Sequence, residues 1–136
     1  MSITNSPKPV IAEIAGVAAA AGCQLVACCD LAIAGESARF MTPGVNIGLF
    51  CSTPMVALSR NVSNKAAMEM LLTGEMVDSK KAEHIGLVNR VVDDKNLTES
   101  TMDMAMVIAS KSRMTVKTGK QAFYRQKEMS LADAYD

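Results

Sequence analysis

Several kinds of residue are scarce or missing in this chain. It has no Trp, three Phe, two Tyr and a single His, His84. A zinc site wants four ligands at characteristic spacings. Cys23, Cys28, Cys29 and Cys51 form no C-x-x-C pair, and His84 lies far from them, so that pattern is absent. Buried, reduced thiols are the expected state. An excess charge of either sign is also missing, because 14 basic and 14 acidic side chains cancel. That balance argues against a nucleic-acid surface and against an acidic tail seeking a cationic partner. No apolar run reaches the ~18 residues of a membrane-spanning helix. Met1 to Pro9 is short and polar, unlike a signal or Arg-rich transit peptide. A soluble, cytoplasmic protein follows by default, with the mitochondrial matrix as the alternative if a longer precursor exists.

What is present suits one small domain. Hydrophobic residues make up 49% of the chain and charged ones 21%, enough to build a core under an ordinary surface. The 11 Met residues are flexible fillers of cores and adaptable pockets, or merely a compositional habit. Val10 to Ala15 reads as a short buried strand ended by Gly16. Val17 to Cys29 is Ala-rich and apolar nearly all round, the pattern of a loop feeding a buried helix. Leu31 to Ala34 and Arg39 to Met41 are further short strands, separated by a turn at Gly35-Glu36-Ser37. A helix is expected to about Arg60, then one over Asn64 to Leu72 capped by Ser63 and ended by Gly74. Asp78 or Ser79 caps Lys80 to Ile85, and Leu87 to Val92 reads as a fourth strand. Asn96 and Glu99 resemble a capping box, followed by a helix with Met102, Ala105, Met106 and Ala109 on one face. Thr115 to Tyr135 is helical with a break near Ser130. Alternating strands and helices imply an α/β fold with parallel strand pairs and a helical C-terminal part. The last helical pattern reaches Asp136 without a terminator, so both ends look cut.

Two segments could carry chemistry. Gly16 to Gln24 reads G-V-A-A-A-A-G-C-Q: a strand ends, tiny residues follow, and an apolar helix begins. Small side chains admit a ligand close to the backbone. The first N–H groups of a helix are unpaired and sit at the positive end of its dipole. Such a corner can hold a phosphate or the oxygen of a polarised thioester. The plainer reading is that the Ala run lets a helix pack tightly on a sheet. The segment is neither a P-loop nor a G-x-G-x-x-G fingerprint. The second segment, Phe40 to Phe50, reads F-M-T-P-G-V-N-I-G-L-F, a constrained turn beside a pocket or an ordinary strand-to-helix connection.

Taken together, these strings resemble the enoyl-CoA hydratase/isomerase (crotonase) family. The matching residues run K-P-V-I-A-E-I-A-G-V-A-A-A-A-G-C-Q-L-V-A-C-C-D-L-A-I-A from Lys8 to Ala34. F-M-T-P-G-V-N-I-G-L follows at Phe40 to Leu49, A-M-E-M-L-L-T-G at Ala67 to Gly74, and A-E-H-I-G-L-V-N-R-V-V at Ala82 to Val92. The resemblance implies a partial spiral of ββα units with a helical C-terminal part. Residues 1–136 would form the central part of one crotonase domain, incomplete at both termini. Family members bind acyl-CoA thioesters, usually as trimers or hexamers. The expected partners are therefore an acyl-CoA and further copies of the chain, with no nucleic acid or membrane, and no cofactor or metal beyond the coenzyme A of the substrate.

By the same resemblance, Ala21 is one backbone donor to the thioester oxygen, the other lying upstream of this chain. Ala20, Gly22, Pro43 and Phe50 are expected to line the substrate site. The hydratase glutamates map to Gln24 and Gly44, neither of them acidic. An amide cannot accept and return a proton near neutral pH, and Gly offers no side chain. The Gln-with-Gly combination and N-I-G-L-F-C-S-T-P at Asn46 to Pro54 resemble the hydratase-domain-containing type 3 branch. Hydration is expected to be weak or absent. A non-catalytic acyl-CoA-binding or oligomer-assembly protein and an inactive truncated product are the alternatives. Asp30 is expected to be structural, Glu69 buried and paired, His84 solvated, and Cys51 close to the pocket.

Overall fold

Pro7 and Pro9 keep helix out of the segment ahead of the first strand, because a fixed φ and a missing N–H disfavour it there. The structure, a computed structural model, describes residues 2–135. Met1 and Asp136, the ends that look cut in the sequence, lie outside the described residues.

After a single helical turn, α1 (Ser2–Asn5), the chain makes two successive ββα turns. The first is β1 (Ile11–Ile14), β2 (Val17–Ala19) and α2 (Ala21–Cys28). The second is β3 (Leu31–Gly35), β4 (Arg39–Met41), a 3-10 turn at Pro43–Ile47, and α3 (Ser52–Ser59). Each strand of the second turn lies parallel to its counterpart in the first. Ile11 pairs with Leu31 and Ile14 with Ala34, while Val17 pairs with Arg39 and Ala19 with Met41. This stacking defines a spiral. The chain continues through α4 (Asn64–Thr73), β5 (Val77–Asp78), α5 (Ser79–His84) and β6 (Arg90–Val92). β6 joins β3 in parallel and β5 joins β4 antiparallel, completing two three-stranded sheets ordered β1-β3-β6 and β2-β4-β5. Three helices follow: α6 (Leu97–Ala109), α7 (Arg113–Gln126) and α8 (Leu131–Tyr135).

The core lies between sheets and helices, with Phe40, Ile33, Leu58, Met70 and Leu71 among its fully buried side chains. Local signals set many boundaries. The Ser63 hydroxyl accepts from the Ala66 N–H, Asp78 accepts from the Lys81 N–H, and Gly74 closes α4 at φ 62°. The last value is left-handed and suits a residue without Cβ.

Four expectations need correction. Val17–Ala19 is a strand rather than loop, because it pairs with β4, which local sequence cannot reveal. Of the expected strand 87–92, Arg90–Val92 pairs in register with β3 and Asn89 donates its N–H to the Ala32 carbonyl at 2.8 Å; Leu87 and Val88 are buried, but their N–H groups go to the Ala82 carbonyl in a turn. Asn96 makes no capping hydrogen bond; Asp93 caps instead, accepting from the Lys95 N–H at a 3-10 turn that leads into α6. The helix expected after Asn96 is α6, on which Met102 and Met106 are exposed and Leu97 and Thr101 buried. Glu69 is exposed, and its partner is Lys81 at 2.7 Å. The break near Ser130 and the solvent position of His84 match the sequence reading.

Candidate functional site

The corner between β2 and α2 is shaped by its backbone. Ala20 sits at φ 48° and ψ −112°, the one described non-Gly residue with positive φ. Its N–H donates to the Met41 carbonyl at 2.9 Å, and its own carbonyl accepts from the Gln24 N–H at 3.0 Å. The first contact ties the corner to the end of β4; the second starts α2. Ala21 is then the first helical residue and is exposed. Its N–H belongs to the set that no helical carbonyl can reach. With the positive end of the α2 dipole behind it, this N–H can receive a developing negative charge on oxygen. A Cβ on Gly22 would meet only Ala18 Cβ at 3.9 Å, an ordinary contact, so packing alone does not demand Gly there.

The Met41 link brings the second segment alongside. Thr42 is fully buried, with no hydrogen-bond partner for its Oγ1 among the described residues. Pro43 opens the 3-10 turn, Leu49 donates its N–H to the Gly44 carbonyl at 2.9 Å, and Gly48 turns the chain at φ 74°. The loop is therefore wound back onto Gly44. A Cβ placed there would lie 3.0 Å from Cys51 Sγ, 3.1 Å from the Leu49 carbonyl oxygen and 3.2 Å from the Cys51 nitrogen. Close approach therefore favours glycine at position 44, a constraint that the sequence alone does not reveal. Cys51 stands at the start of α3, partly buried, and Phe50 beside it is 43% exposed. Cys23, behind Ala21 on α2, is buried; burial, and next the nearby Cys51, push its thiol up to about 11. Neither thiol is joined in a disulfide.

Gln24 is half-buried and makes no side-chain hydrogen bond among the described residues. It lines a cavity of about 950 Å³ between α2, α3 and α7, together with Cys28, Val56, Arg60, Tyr124 and Arg125. A second cavity, about 650 Å³, lies between the Pro7–Ile11 segment and the α6–α7 junction and contains none of the expected site residues. Ala20, Ala21, Gly22, Pro43, Gly44 and Phe50 line neither cavity. The structure thus joins the Ala20 corner to the Pro43–Gly44 loop through Met41, and directs Gln24 into a separate groove.

Behind the site lies a cluster that local sequence patterns could not assemble. Asp30 accepts from Lys120 Nζ, from the Tyr124 hydroxyl and from the Val10 N–H, each at 2.7 Å. Burial, then the hydrogen bond to Asp30 and its charge, raise the Tyr124 phenol above its ordinary range. Cys29 is raised chiefly by burial, with Asp30 adding to it. Asp30 is structural, as its place in the C-D pair implied, but α7 supplies most of its partners.

A family model described as enoyl-CoA hydratase/isomerase matches residues 1–136. The human mitochondrial enoyl-CoA hydratase domain-containing protein 3 is 54% identical over 135 residues, which cover 99% of this chain and 45% of that protein. The crystal structure of the human domain-containing protein 3 superposes with a TM-score of 0.96 at 53% identity, covering 99% of this chain and 53% of that one. An enoyl-CoA hydratase structure from Mycobacterium smegmatis gives a TM-score of 0.96 at 55% identity, covering 98% and 52% of the two chains. The chain therefore spans about half the length of the relatives it matches. The human relative is named as mitochondrial, so the cytoplasmic expectation finds no support there and the mitochondrial alternative does. No helix among the described residues is long and apolar enough to cross a membrane.

Proposed function

The chain belongs to the enoyl-CoA hydratase/isomerase family and carries part of its α/β crotonase spiral, and from that premise we propose that it binds acyl-CoA thioesters with little or no hydration of enoyl-CoA. The observation that carries this reading is the Ala20 corner. With the Ala20 N–H committed to Met41 and the chain turned at φ 48°, the Ala21 N–H is left exposed at the start of α2. A thioester oxygen seated there would gain charge stabilisation as the carbonyl polarises, typically about 10²–10³-fold in rate for one such donor.

Proton transfer is where the site falls short. Hydration needs one group to take a proton from water and another to deliver one to carbon. Gln24 can hold a water or a carbonyl by hydrogen bonding, but its amide does not exchange protons near neutral pH. At Gly44 the backbone of Leu49 and Cys51 fills the space that a side chain would enter. Each missing acid–base group costs about 10²–10⁴-fold, and such losses are not additive.

Binding without turnover is thus the outcome to expect. Crotonyl-CoA titrated into the chain should give saturable heat or fluorescence, while hydration followed by absorbance stays at background. Robust hydration would overturn the argument from Gln24 and Gly44. Absence of any acyl-CoA binding would remove the reading itself and leave an assembly role or an inactive product.

Self-association is part of the proposal. Val17, Leu25, Ile47 and Leu49 stand exposed around the corner, and Met102, Met106 and Val107 on α6. Apolar area on this scale marks an interaction face, and further copies of the chain are the proposed occupants. The mitochondrial matrix is the proposed location, supported by the name of the human relative.

A further inference from the structure

The cavity of about 650 Å³ between residues 7–11 and the α6–α7 junction has walls of two kinds. Pro9, Ile11, Ala105, Ile108 and Val116 line it and are partly buried, which gives it an apolar floor. Lys8, Lys111, Arg113 and Lys117 line it as well, all four exposed, and none of its lining residues is acidic. Among the described residues, none of these four cations belongs to an ion pair.

Their placement works against the fold. Arg113 opens α7 and Lys117 follows one turn later, at the end where the helix dipole is positive. Acidic side chains suit that end, yet the first turn of α7 has none. Lys8 and Lys111 bring further like charge to the same cavity. Where local electrostatic rules are broken together in one place, a site is the usual reason. The volume is that of a small-molecule site, for which about 300–1,000 Å³ is usual. A neutral apolar ligand would leave the four charges unrelieved, and a bare anion would leave the floor uncovered. An amphiphile answers both. We infer that this cavity is a second binding site, separate from the Ala20 corner, for a single-chain fatty carboxylate. The fork of Arg113 meets the carboxylate, with the lysines around it, and the methylenes cover Ile11, Ile108 and Val116.

The test titrates the full chain calorimetrically at low salt with decanoate, decanol and acetate, each as monomer. Decanoate should bind about tenfold tighter than decanol, the order of two or three partly exposed charge contacts, and acetate should give no saturable heat. Arg113→Gln combined with Lys117→Gln should abolish the preference for decanoate over decanol, whereas Arg125→Gln, in the other groove, should leave it unchanged. The double variant should melt no lower than the parent, because it removes cations from the positive end of α7, so a lost preference is not lost folding. Raising the salt should shrink the preference in the unaltered chain. Equal affinity for decanoate and decanol, acetate binding as tightly as decanoate, or a preference that survives the double substitution overturns the inference. Capture by phosphatidylglycerol vesicles without binding of monomeric decanoate overturns it too, and assigns the cations to a membrane surface.

Discussion

Lys120 Nζ and Asp30 Oδ2, 90 residues apart in sequence, lie 2.7 Å from each other with only 6% and 13% of their side chains exposed. Lys120 also donates to the carbonyls of Ile3 and Lys8 at 2.9 Å, so one ammonium joins the N-terminal segment, the end of α2 and α7. A buried pair of this kind is costly to break from one side, because the remaining charge keeps its desolvation without compensation. Lys120→Met should therefore lower unfolding free energy by about 3 kcal/mol, read from urea denaturation. Tyr124→Phe, which removes one hydrogen bond to the same carboxylate, should cost about 1–2 kcal/mol. Lys120→Met combined with Asp30→Asn should cost less than the two single changes added together, since the residues are in direct contact.

Gly44 gives the second prediction. A side chain there meets backbone atoms at 3.1–3.2 Å as well as the Cys51 sulfur. Gly44→Ala should destabilise by about 1–3 kcal/mol through overpacking. Gln24→Glu, at a half-buried groove position, should leave the thermal midpoint nearly unchanged. Putting glutamate at both positions should not restore full hydration, and crotonyl-CoA hydration at wild-type hydratase rates by that double variant would refute it.

Ala20 gives a prediction of opposite sign. A Cβ at φ 48° is strained, typically by about 1–3 kcal/mol, whereas Gly adopts such angles freely. Ala20→Gly also loosens the unfolded chain, which offsets part of the relief. The expected result is a gain in stability below about 1 kcal/mol. Acyl-CoA binding should weaken at the same time, because the corner that presents the Ala21 N–H becomes freer to move.

Stability should fall in alkali. The Cys23 thiol titrates near 9.0 in an unfolded chain, and burial, then Cys51, push it up to about 11 in the fold. The folded state therefore holds this proton more tightly. Its contribution is complete below about pH 9 and is lost as pH rises through about 11. Tyr124, raised from 10.0 first by burial and then by Asp30, acts in the same direction at higher pH. Urea midpoints should be level near neutrality and decline from about pH 9 upward. Cys23→Ala should remove the earlier part of that decline.

The sequence was most legible where a local signal coincided with a local cause. Ser63, Asp78 and Gly74 mark helix ends by chemistry contained within a few residues, and all three act as expected. The small residues of Gly16 to Gln24 announced a close-packed corner, and the family strings placed it in a spiral. What stayed hidden depends on partners distant in sequence. Val17–Ala19 becomes a strand because Arg39–Met41 lies beside it. Met102 and Met106 share an apolar face by period, but which face is covered depends on the sheet: α6 buries Leu97 and Thr101. The tight space at position 44 comes from a loop folding back on itself, and Tyr124 and Arg125, which share the cavity with Gln24, come from α7, about a hundred residues away.

The parallel register of the spiral also has a kinetic meaning. Ile11 meets Leu31 and Val17 meets Arg39, so the two ββα turns close loops of about twenty residues, whereas β6 must reach back from Arg90 to Ile33. Loop closure slows as contacts become less local, and a transition state tends to gather the contacts nearest in sequence. The chain should thus wind from its first turn outward, with α2 and the Ala20 corner organised early and the arrival of β6 and the locking of Lys120 onto Asp30 coming last. Substitutions in the first two turns should slow refolding, and those at Lys120 should chiefly hasten unfolding.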